Sequence, residues 1–295
     1  VLSFSGARPR GVLHGVYNFL EQEIGVYWWN PWEETVPRQT VISLRDGLQK
    51  SGVPGIKYRD IYMLFGHDRG RFAARNRLNR EGDAEVSSEY GGSRDYGPPY
   101  HVHTLNLYVP PQEFFQTNPQ WFALVDGKRT ADYSQLCLTN PDLRAYMKKR
   151  LRAYIAQAVE NAHQQNKPAP DVFSISQNDW GGFCQCPNCQ AMLLKEGSEA
   201  GPLLDFVNEL ADDIKTDYPW IYLDTLAYFQ TDIPPKNIKP RDNVIIRLCD
   251  TGSDYTRPIT DPVNAPFRNL ILNWAKITKN LRVWDYAISY GTPHS

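Results

Sequence analysis

The chain has 295 residues, 41% of them hydrophobic and 22% charged, and a formal net charge of −1. This composition is typical of a globular protein and excludes a disordered chain. A charge so close to zero gives nucleic acid or an anionic membrane surface no electrostatic reason to bind. No apolar run approaches the roughly 20 residues that cross a bilayer, so no transmembrane segment is expected. The start has neither an initiator Met nor a signal peptide, and we expect a trimmed chain.

The N-terminal part of the chain predicts a small α+β unit. Apolar residues between positions 11 and 24 recur at helical spacing. Residues 26–29 then predict a short strand, and residues 36–44 predict edge-strand material. Residues 1–50 are therefore predicted to be the remainder of a small α+β domain, and a Gly- and Pro-containing linker follows at 51–55.

Strands and helices alternate through the rest of the chain. The predicted strands cover residues 56–64, 101–104, 133–138, 171–178, 221–228, 243–249 and 281–286, and the predicted helices cover residues 71–79, 140–165, 202–218 and 267–278. Such alternation predicts an α/β fold with a parallel sheet. Six or seven units favour a (β/α)8-type TIM barrel over residues 56–295, and the chain stops soon after the last strand, so we expect a barrel truncated at its C-terminus. No glycine-rich nucleotide-binding loop follows a strand.

The strand that ends at Asn178, Asp179 and Trp180 is the most informative segment. Catalytic side chains gather at this end of barrel strands, and a carboxylate beside an indole suits a sugar. Glycosidic cleavage needs a proton donor to the leaving oxygen. Asp179 is predicted to be this acid/base, in a dry pocket beside Trp180. Asn178 would orient a 2-acetamido group whose own carbonyl oxygen attacks the anomeric carbon.

Further side chains at predicted strand ends are expected to line the same hollow. Tyr228 is a candidate donor to the acetamido carbonyl oxygen, and Trp284 and Tyr286 are candidate walls for the sugar. Asp250 and Asp285 add carboxylates at two more strand ends. Any one of these acids has a structural alternative, such as a helix cap, a salt bridge or a turn.

Histidine and arginine side chains are predicted to donate hydrogen bonds to hydroxyl groups. His101 and His103 alternate and would face opposite ways on a strand, which makes a metal pair less favoured than ordinary hydrogen bonding. His67 and Arg59 are further candidates, and Arg247 is the best placed because it lies near a strand end.

Three of the five cysteines, Cys184, Cys186 and Cys189, lie within six residues. Such density suggests a zinc site or a disulfide, and free thiols are the third possibility. Cys137 or Cys249 could supply a fourth zinc ligand only through the fold. These cysteines are weak metal candidates, so no catalytic metal and no cofactor is predicted.

Several of these segments together resemble known families. Residues 11–29 with 34–37 look like the end of the small α+β domain that precedes barrels in α-glucuronidases and β-hexosaminidases. Another set resembles a bacterial barrel family long labelled as a domain of unknown function, part of which is classed as family-163 glycoside hydrolases. This set comprises residues 118–129, 135–141, 174–179 with the following Cys-x-Cys-x-x-Cys, and 283–286.

That resemblance implies an activity and a location. Family-163 enzymes are similar to endo-β-N-acetylglucosaminidases, which cut the chitobiose core of N-glycans by substrate assistance. We therefore predict a retaining glycoside hydrolase that acts on β-linked N-acetylglucosamine in glycans and is secreted to the periplasm or cell surface. An α-glucuronidase-like hydrolase, with Arg247 and Arg59 as its cationic subsite, is one alternative. A non-catalytic glycan-binding barrel is the other.

Overall fold

A computed structural model describes residues 2–6, 9–61, 69–79, 86, 88–92 and 96–286 of the chain. The chain divides into two compact units, residues 1–95 and residues 96–295. The predicted domain limits at residues 50 and 56 stay predictions.

Each unit combines helices with strands. The α-helices are α1 (Pro9–Phe19), α2 (Arg69–Arg75), α3 (Leu105–Tyr108), α4 (Pro111–Phe114), α5 (Pro141–Gln164), α6 (Pro187–Glu196), α7 (Ala200–Ile214) and α8 (Ala265–Ala275). The strands are β1 (Tyr27–Trp28), β2 (Glu34–Thr35), β3 (Leu124–Val125), β4 (Lys128–Arg129), β5 (Val172–Ser174), β6 (Tyr222–Ala227), β7 (Val244–Asp250) and β8 (Leu281–Asp285). A π-helical turn (Leu20–Ile24) extends α1, and short 3-10 helices cover Ser88–Tyr90, Pro119–Trp121, Phe229–Thr231 and Pro262–Asn264.

The first unit confirms the predicted N-terminal helix and the short strand after it. Gly25 ends the helix in a left-handed conformation, φ 82°, and its N–H bonds the carbonyl oxygen of Leu20. Strands β1 and β2 pair antiparallel. The edge-strand prediction over residues 36–44 is wrong, because these residues belong to no described strand, include a bend at Thr40 and are mostly exposed. Residues 56–61 also form no strand, and the rest of the strand predicted there lies outside the described residues.

The second unit is built on a four-stranded parallel sheet in the order β5-β6-β7-β8. Strand β7 is buried at every position, as expected for a parallel strand covered on both faces. Helix α5 packs Leu143, Met147, Leu151 and Ile155 into the core at intervals of one helical turn. Helix α7 buries its apolar face in the same core. The predicted mixed α/β content and parallel sheet are thus present, and the closed eight-stranded barrel stays a prediction.

The parallel sheet is curved. Tyr96 forms a parallel bridge to Val172 and so lies beyond β5 at one edge, whereas Arg282 belongs to β8 at the other edge. A flat sheet would separate these two positions by four strand spacings, or about 19 Å. The Arg282 Nη1 nevertheless donates to the Tyr96 hydroxyl over 2.9 Å. The two edges therefore bend toward each other, and polar side chains fill the concave face.

Local sequence signals predicted some helices and strands of the second unit correctly and missed others. The Asn140 side chain accepts the Leu143 N–H at 2.9 Å and so caps α5, the helix predicted over residues 140–165. Three predicted strands and two predicted helices are confirmed within a few residues. They are the strands over residues 221–228, 243–249 and 281–286 and the helices over residues 202–218 and 267–278. The strand prediction at 101–104 is wrong, because these residues form a bend in which His103 has a φ of 51°. Helix α6 was not predicted.

Candidate functional site

The carboxyl ends of the four parallel strands bring predicted site residues to one edge of the sheet. Asp179 follows β5, Tyr228 follows β6, and Asp250 and Asp285 are the last residues of β7 and β8. Asp250 and Asp285 are register partners, so their backbones are directly adjacent. Open α/β sheets bind ligands in the crevice outside this edge.

Asp179 is exposed and forms a hydrogen bond with a tyrosine. The Tyr228 hydroxyl donates to Asp179 Oδ1 at 2.9 Å, and the Asp179 side chain keeps 59% of its surface exposed. Burial, and after it the hydrogen bond to Asp179, raise the pKa of Tyr228 above its usual range, so the hydroxyl stays protonated. An anionic acceptor and a neutral donor therefore lie side by side at the mouth of the sheet.

His103 is the third member of this group. Its Nε2 lies 3.7 Å from Asp179 Oδ1, and its ring centroid is 5.9 Å from that of Tyr228. The Nδ1 atom contacts the Gln177 carbonyl oxygen at 2.9 Å. Because a carbonyl only accepts, Nδ1 carries the proton in the neutral ring and Nε2 is protonated only in the imidazolium form. Protonated His103 would form an ion pair with Asp179.

Asn178 points away from Asp179 into the protein interior. It is 2% exposed; its Nδ2 donates to the Ser134 carbonyl oxygen at 3.2 Å, and its Oδ1 accepts the Asn106 N–H at 3.1 Å. The Gln135 side chain accepts the Asn178 N–H at 2.9 Å and donates to its carbonyl oxygen at 3.1 Å. The side-chain amide of Asn178 is therefore hydrogen-bonded at both its nitrogen and its oxygen within the turn. This corrects the prediction that Asn178 orients the acetamido group of a substrate.

Aromatic side chains lie at both ends of the site. Trp180 is exposed, and its Nε1 donates to the Ser134 carbonyl oxygen at 2.7 Å. The Tyr133 ring, which no sequence signal identified, packs edge-on against the Trp180 ring with 6.0 Å between the ring centroids. At the other end, Trp284 and Tyr286 stack at 5.6 Å, so the two predicted wall residues do lie together.

His101 belongs to the Trp284 end of the site but is buried. Its ring stacks on Trp284 at 6.3 Å and packs against Tyr100 at 4.2 Å. His101 and His103 therefore occupy different surroundings, as predicted, although a bend rather than strand alternation separates them. His67 lies outside the described residues.

Arg247 is engaged beneath the site and does not face a substrate. Its Nη2 lies 2.6 Å from Asp224 Oδ1, and the Asp224 side chain is fully buried. The same nitrogen donates to the His101 carbonyl oxygen at 3.2 Å and to the Tyr96 hydroxyl. The guanidinium also lies over the Trp284 ring at 5.3 Å. This corrects the prediction of Arg247 as a substrate ligand, because its donors are committed to a buried ion pair.

Asp250 and Asp285 differ in their environments. Asp250 is buried, and its Oδ1 accepts the Ser253 N–H at 3.0 Å and the Gly252 N–H at 3.4 Å, so it caps the turn after β7. Asp285 is exposed at the end of β8. Partial desolvation, and then the charge of Asp250, raise the pKa of Asp285. A carboxyl group with a raised pKa at a strand end suits proton donation.

Two hollows of the second unit lie away from Asp179. One of about 930 Å³ runs between α5, α6 and α7, and its basic residues Arg144 and Arg152 are paired with acidic neighbours. Another of about 640 Å³ is lined by Gly182, Phe183 and Glu199, among others. Asp179 lines neither of these two hollows, and because 59% of its side chain is exposed it does not lie in the dry pocket that was predicted.

Four cysteines converge, although only three are close in sequence. The sulfur atoms of Cys137, Cys184, Cys186 and Cys189 all lie within 4.8 Å of one another, and all four residues are buried. Cys249 is buried in β7 and does not belong to this group. The fold therefore supplies the fourth thiol that the sequence motif lacks.

The second unit is thus an α/β domain that presents acidic, hydroxyl and aromatic side chains at the carboxyl edge of a parallel sheet. A family model described as "Domain of unknown function (DUF4838)" matches residues 28–294, and the chain belongs to this family. No curated protein matches the chain. Among the helices of the described ranges, none is both long and apolar enough to cross a membrane.

Proposed function

We propose that this protein is a glycoside hydrolase that cleaves β-linked N-acetylglucosamine in glycans by a retaining, substrate-assisted mechanism. The observation that carries the proposal is the 2.9 Å hydrogen bond between the Tyr228 hydroxyl and the exposed Asp179 carboxylate. A substrate-assisted enzyme needs an acceptor for the acetamido N–H and a donor to the acetamido carbonyl oxygen. These two groups provide both, at a separation that a single acetamido group can span.

In the proposed reaction, the acetamido carbonyl oxygen attacks the anomeric carbon while the bond to the leaving oxygen breaks. Ionised Asp179 accepts the acetamido N–H and offsets the positive charge of the resulting oxazolinium ring. The Tyr228 hydroxyl turns from Asp179 toward the carbonyl oxygen and orients it. Water then opens the ring at the anomeric carbon, and the configuration there is retained.

The proton for the leaving oxygen comes from a second carboxyl group in this proposal. Asp179 already accepts a hydrogen bond from Tyr228, as the group that receives the acetamido N–H must, so we assign it the orienting role in place of the acid role first predicted for it. Asp285 has a raised pKa for the reasons above, and this suits the acid. The neighbouring charge of Asp250 is, after desolvation, the second cause of the raised pKa of Asp285.

The sheet geometry supports a barrel beneath this site. The Tyr96 hydroxyl and Arg282 meet across the concave face, as the inward side chains of a (β/α)8-type barrel do. We include this barrel in the proposal, with the chain forming part of it. The kinship with family-163 enzymes and an extracytoplasmic location belong to the same proposal.

The two alternatives find less support. An α-glucuronidase needs a cation to bind the uronate, yet Arg247 is paired with buried Asp224, and Arg59 donates to the carbonyl oxygens of Arg77 and Ile56. A non-catalytic glycan-binding barrel would use the aromatic walls alone. It has no need of an exposed carboxylate held by a tyrosine hydroxyl.

The test is hydrolysis of an aryl N-acetyl-β-glucosaminide and of an N-glycosylated protein by the full chain. We expect Asp179→Asn and Asp285→Asn each to lower kcat/KM by about 10²- to 10⁴-fold, with binding of a thiazoline inhibitor retained for Asp285→Asn. Tyr228→Phe should cost about 10²-fold. Asp126→Asn is the matched control, because Asp126 is exposed in a left-handed turn that asparagine tolerates.

Three results would overturn the proposal. Wild-type protein that binds the glycan without cleaving it would favour the binding barrel. Cleavage of aryl glucuronides in place of N-acetylglucosaminides would favour the α-glucuronidase. Unchanged activity in Asp179→Asn would remove the proposed site from the reaction.

A further inference from the structure

The four converging cysteines carry an inference that is independent of the proposed hydrolase. Cys137 follows the bridge between Phe122 and Leu136, whereas Cys184, Cys186 and Cys189 belong to the loop and first turn that begin α6. All six distances between their sulfur atoms are below 4.8 Å. We propose that these four side chains form a tetrathiolate site that binds one structural zinc ion.

The sulfur spacing matches a single tetrahedral metal ion. With a Zn–S bond of about 2.3 Å, tetrahedral geometry places the four sulfurs about 3.8 Å from one another. Cys137 Sγ and Cys186 Sγ are 3.6 Å apart, and the 4.8 Å limit holds for every pair. A multi-iron cluster would hold its thiolates further apart. A disulfide would join only one pair, and none of the five cysteines, all within the described residues, is bridged.

Neighbouring groups are arranged to stabilise thiolates. The Leu124 N–H points at Cys184 Sγ at 3.4 Å, and Arg129 Nη1 lies 3.7 Å from the same sulfur. The Thr139 hydroxyl lies 3.1 Å from Cys189 Sγ. Hydrogen bonds and a positive charge around ligand sulfurs disperse the negative charge that a tetrathiolate zinc site carries. Buried thiols with no metal would not need a guanidinium beside them.

The proposed ion would be structural because protein ligands fill all four positions. Catalytic zinc keeps one position for water or substrate. The site would join the segment that contains Cys137 to the loop and first turn of α6. The neighbouring hairpin of β3 and β4 is bonded to the same loop by the Gln185 N–H, which donates to the Leu124 carbonyl oxygen at 2.7 Å, and by the Asp126 N–H, which donates to Gln185 Oε1 at 2.9 Å. Binding energy of this kind becomes folding energy of the joined segments.

The test measures metal in the full chain after purification without a metal-affinity step. We expect elemental analysis to find about one zinc per chain, falling below about 0.1 in Cys186→Ser/Cys189→Ser. Cys249→Ala is the matched control and should keep its zinc, because Cys249 is equally buried but lies outside the group. Wild-type protein gives a second measurement if the double variant does not fold. Titration with a mercurial should release one zinc for about four thiols.

Cobalt exchange tests the ligand set directly. Co²⁺ in the wild-type site should give the intense visible bands of tetrahedral thiolate coordination, and the Cys249→Ala spectrum should be the same. Three results would overturn the proposal. They are less than about 0.1 zinc in wild-type protein grown with ample zinc, a disulfide between any two of the four cysteines, and stoichiometric iron in place of zinc.

Discussion

Replacing Asp224 by asparagine tests how much the buried ion pair beneath the site stabilises the second unit. The Asp224 carboxylate is fully buried. It accepts from Arg247 Nη2 at 2.6 Å, from Arg247 Nε at 3.3 Å and from the Tyr96 hydroxyl at 3.0 Å, and Arg282 lies 3.8 Å away. An asparagine keeps the shape but removes the charge that compensates two guanidinium groups.

The expected loss of stability arises because the Arg247 guanidinium remains buried after its charged partner is removed. Removing one member of a buried pair leaves the other charged and desolvated, which costs about 3–5 kcal/mol. The contacts give a similar figure, because two hydrogen bonds from the Arg247 guanidinium to a charged acceptor contribute about 1.5–3 kcal/mol each. We therefore expect Asp224→Asn to lower the free energy of unfolding by about 3–5 kcal/mol. For a unit of this size that lowers the Tm by about 6–20 °C.

Asp205→Asn is a matched control that separates the effect of burial of an ion pair from the effect of its N–O distance. The Asp205 Oδ2 also lies 2.6 Å from an arginine nitrogen, Arg144 Nη2, but 37% of the Asp205 side chain is exposed. Exposed pairs contribute about 0–1 kcal/mol, so this variant should lose no more than that. The assay is urea unfolding of both variants followed by fluorescence. Equal losses in the two variants, or a loss below about 1 kcal/mol in Asp224→Asn, would refute the reasoning.

Two further predictions concern stability. Burial raises the pKa of Glu199 from 4.5 to about 7, so this group contributes stability that is complete below about pH 4.5 and lost as the pH rises through about 7. Glu199→Gln should therefore stabilise the protein by about 1–2 kcal/mol at pH 8, a value discounted for partial solvent screening, and by almost nothing at pH 4.5 in urea unfolding. Gly182 has a φ of 65°, and a Cβ there would lie 2.6 Å from the Tyr133 carbonyl oxygen and 2.7 Å from Ser134 Cα. Gly182→Ala should cost about 2–3 kcal/mol, whereas Gly252→Ala, where a Cβ meets nothing within 4 Å, should change stability by less than about 0.5 kcal/mol.

Elements with local signals were predictable from the sequence. The start of α5 has a capping side chain and a proline at its first position, and both act within three residues. The buried runs of β6 and β7 and the partly exposed run of β8 are apolar enough to be predicted as strands without knowing their partners. Their shared direction then places Asp250 and Asp285 at one edge, as predicted.

Side-chain direction at the site was not predictable in this way. The expectation that Asn178 and Asp179 act on one substrate took the strand to continue as far as Asn178, but β5 ends at Ser174 and the chain bends at Asp179 and Trp180. What turns Asn178 inward is Gln135, which is far away in sequence. Arg247 is paired with Asp224 of the neighbouring strand, and only strand register brings the two together. Cys137 joins the cysteine group through the same kind of long-range contact.

The loop between β5 and α6 connects the proposed catalytic site to the proposed zinc site, and different groups hold its two ends. At its start, Gln135 Nε2 donates to the carbonyl oxygens of Asn178 at 3.1 Å and Trp180 at 2.6 Å, on either side of Asp179. At its end, the cysteines of α6 meet Cys137. Because Gln135 and the adjacent Ser134 carbonyl oxygen each bond both neighbours of Asp179, this segment positions the carboxylate and the thiolates do not. Loss of the metal should therefore reduce the stability of the loop more than the geometry of Asp179, whereas loss of the Gln135 amide should do the reverse.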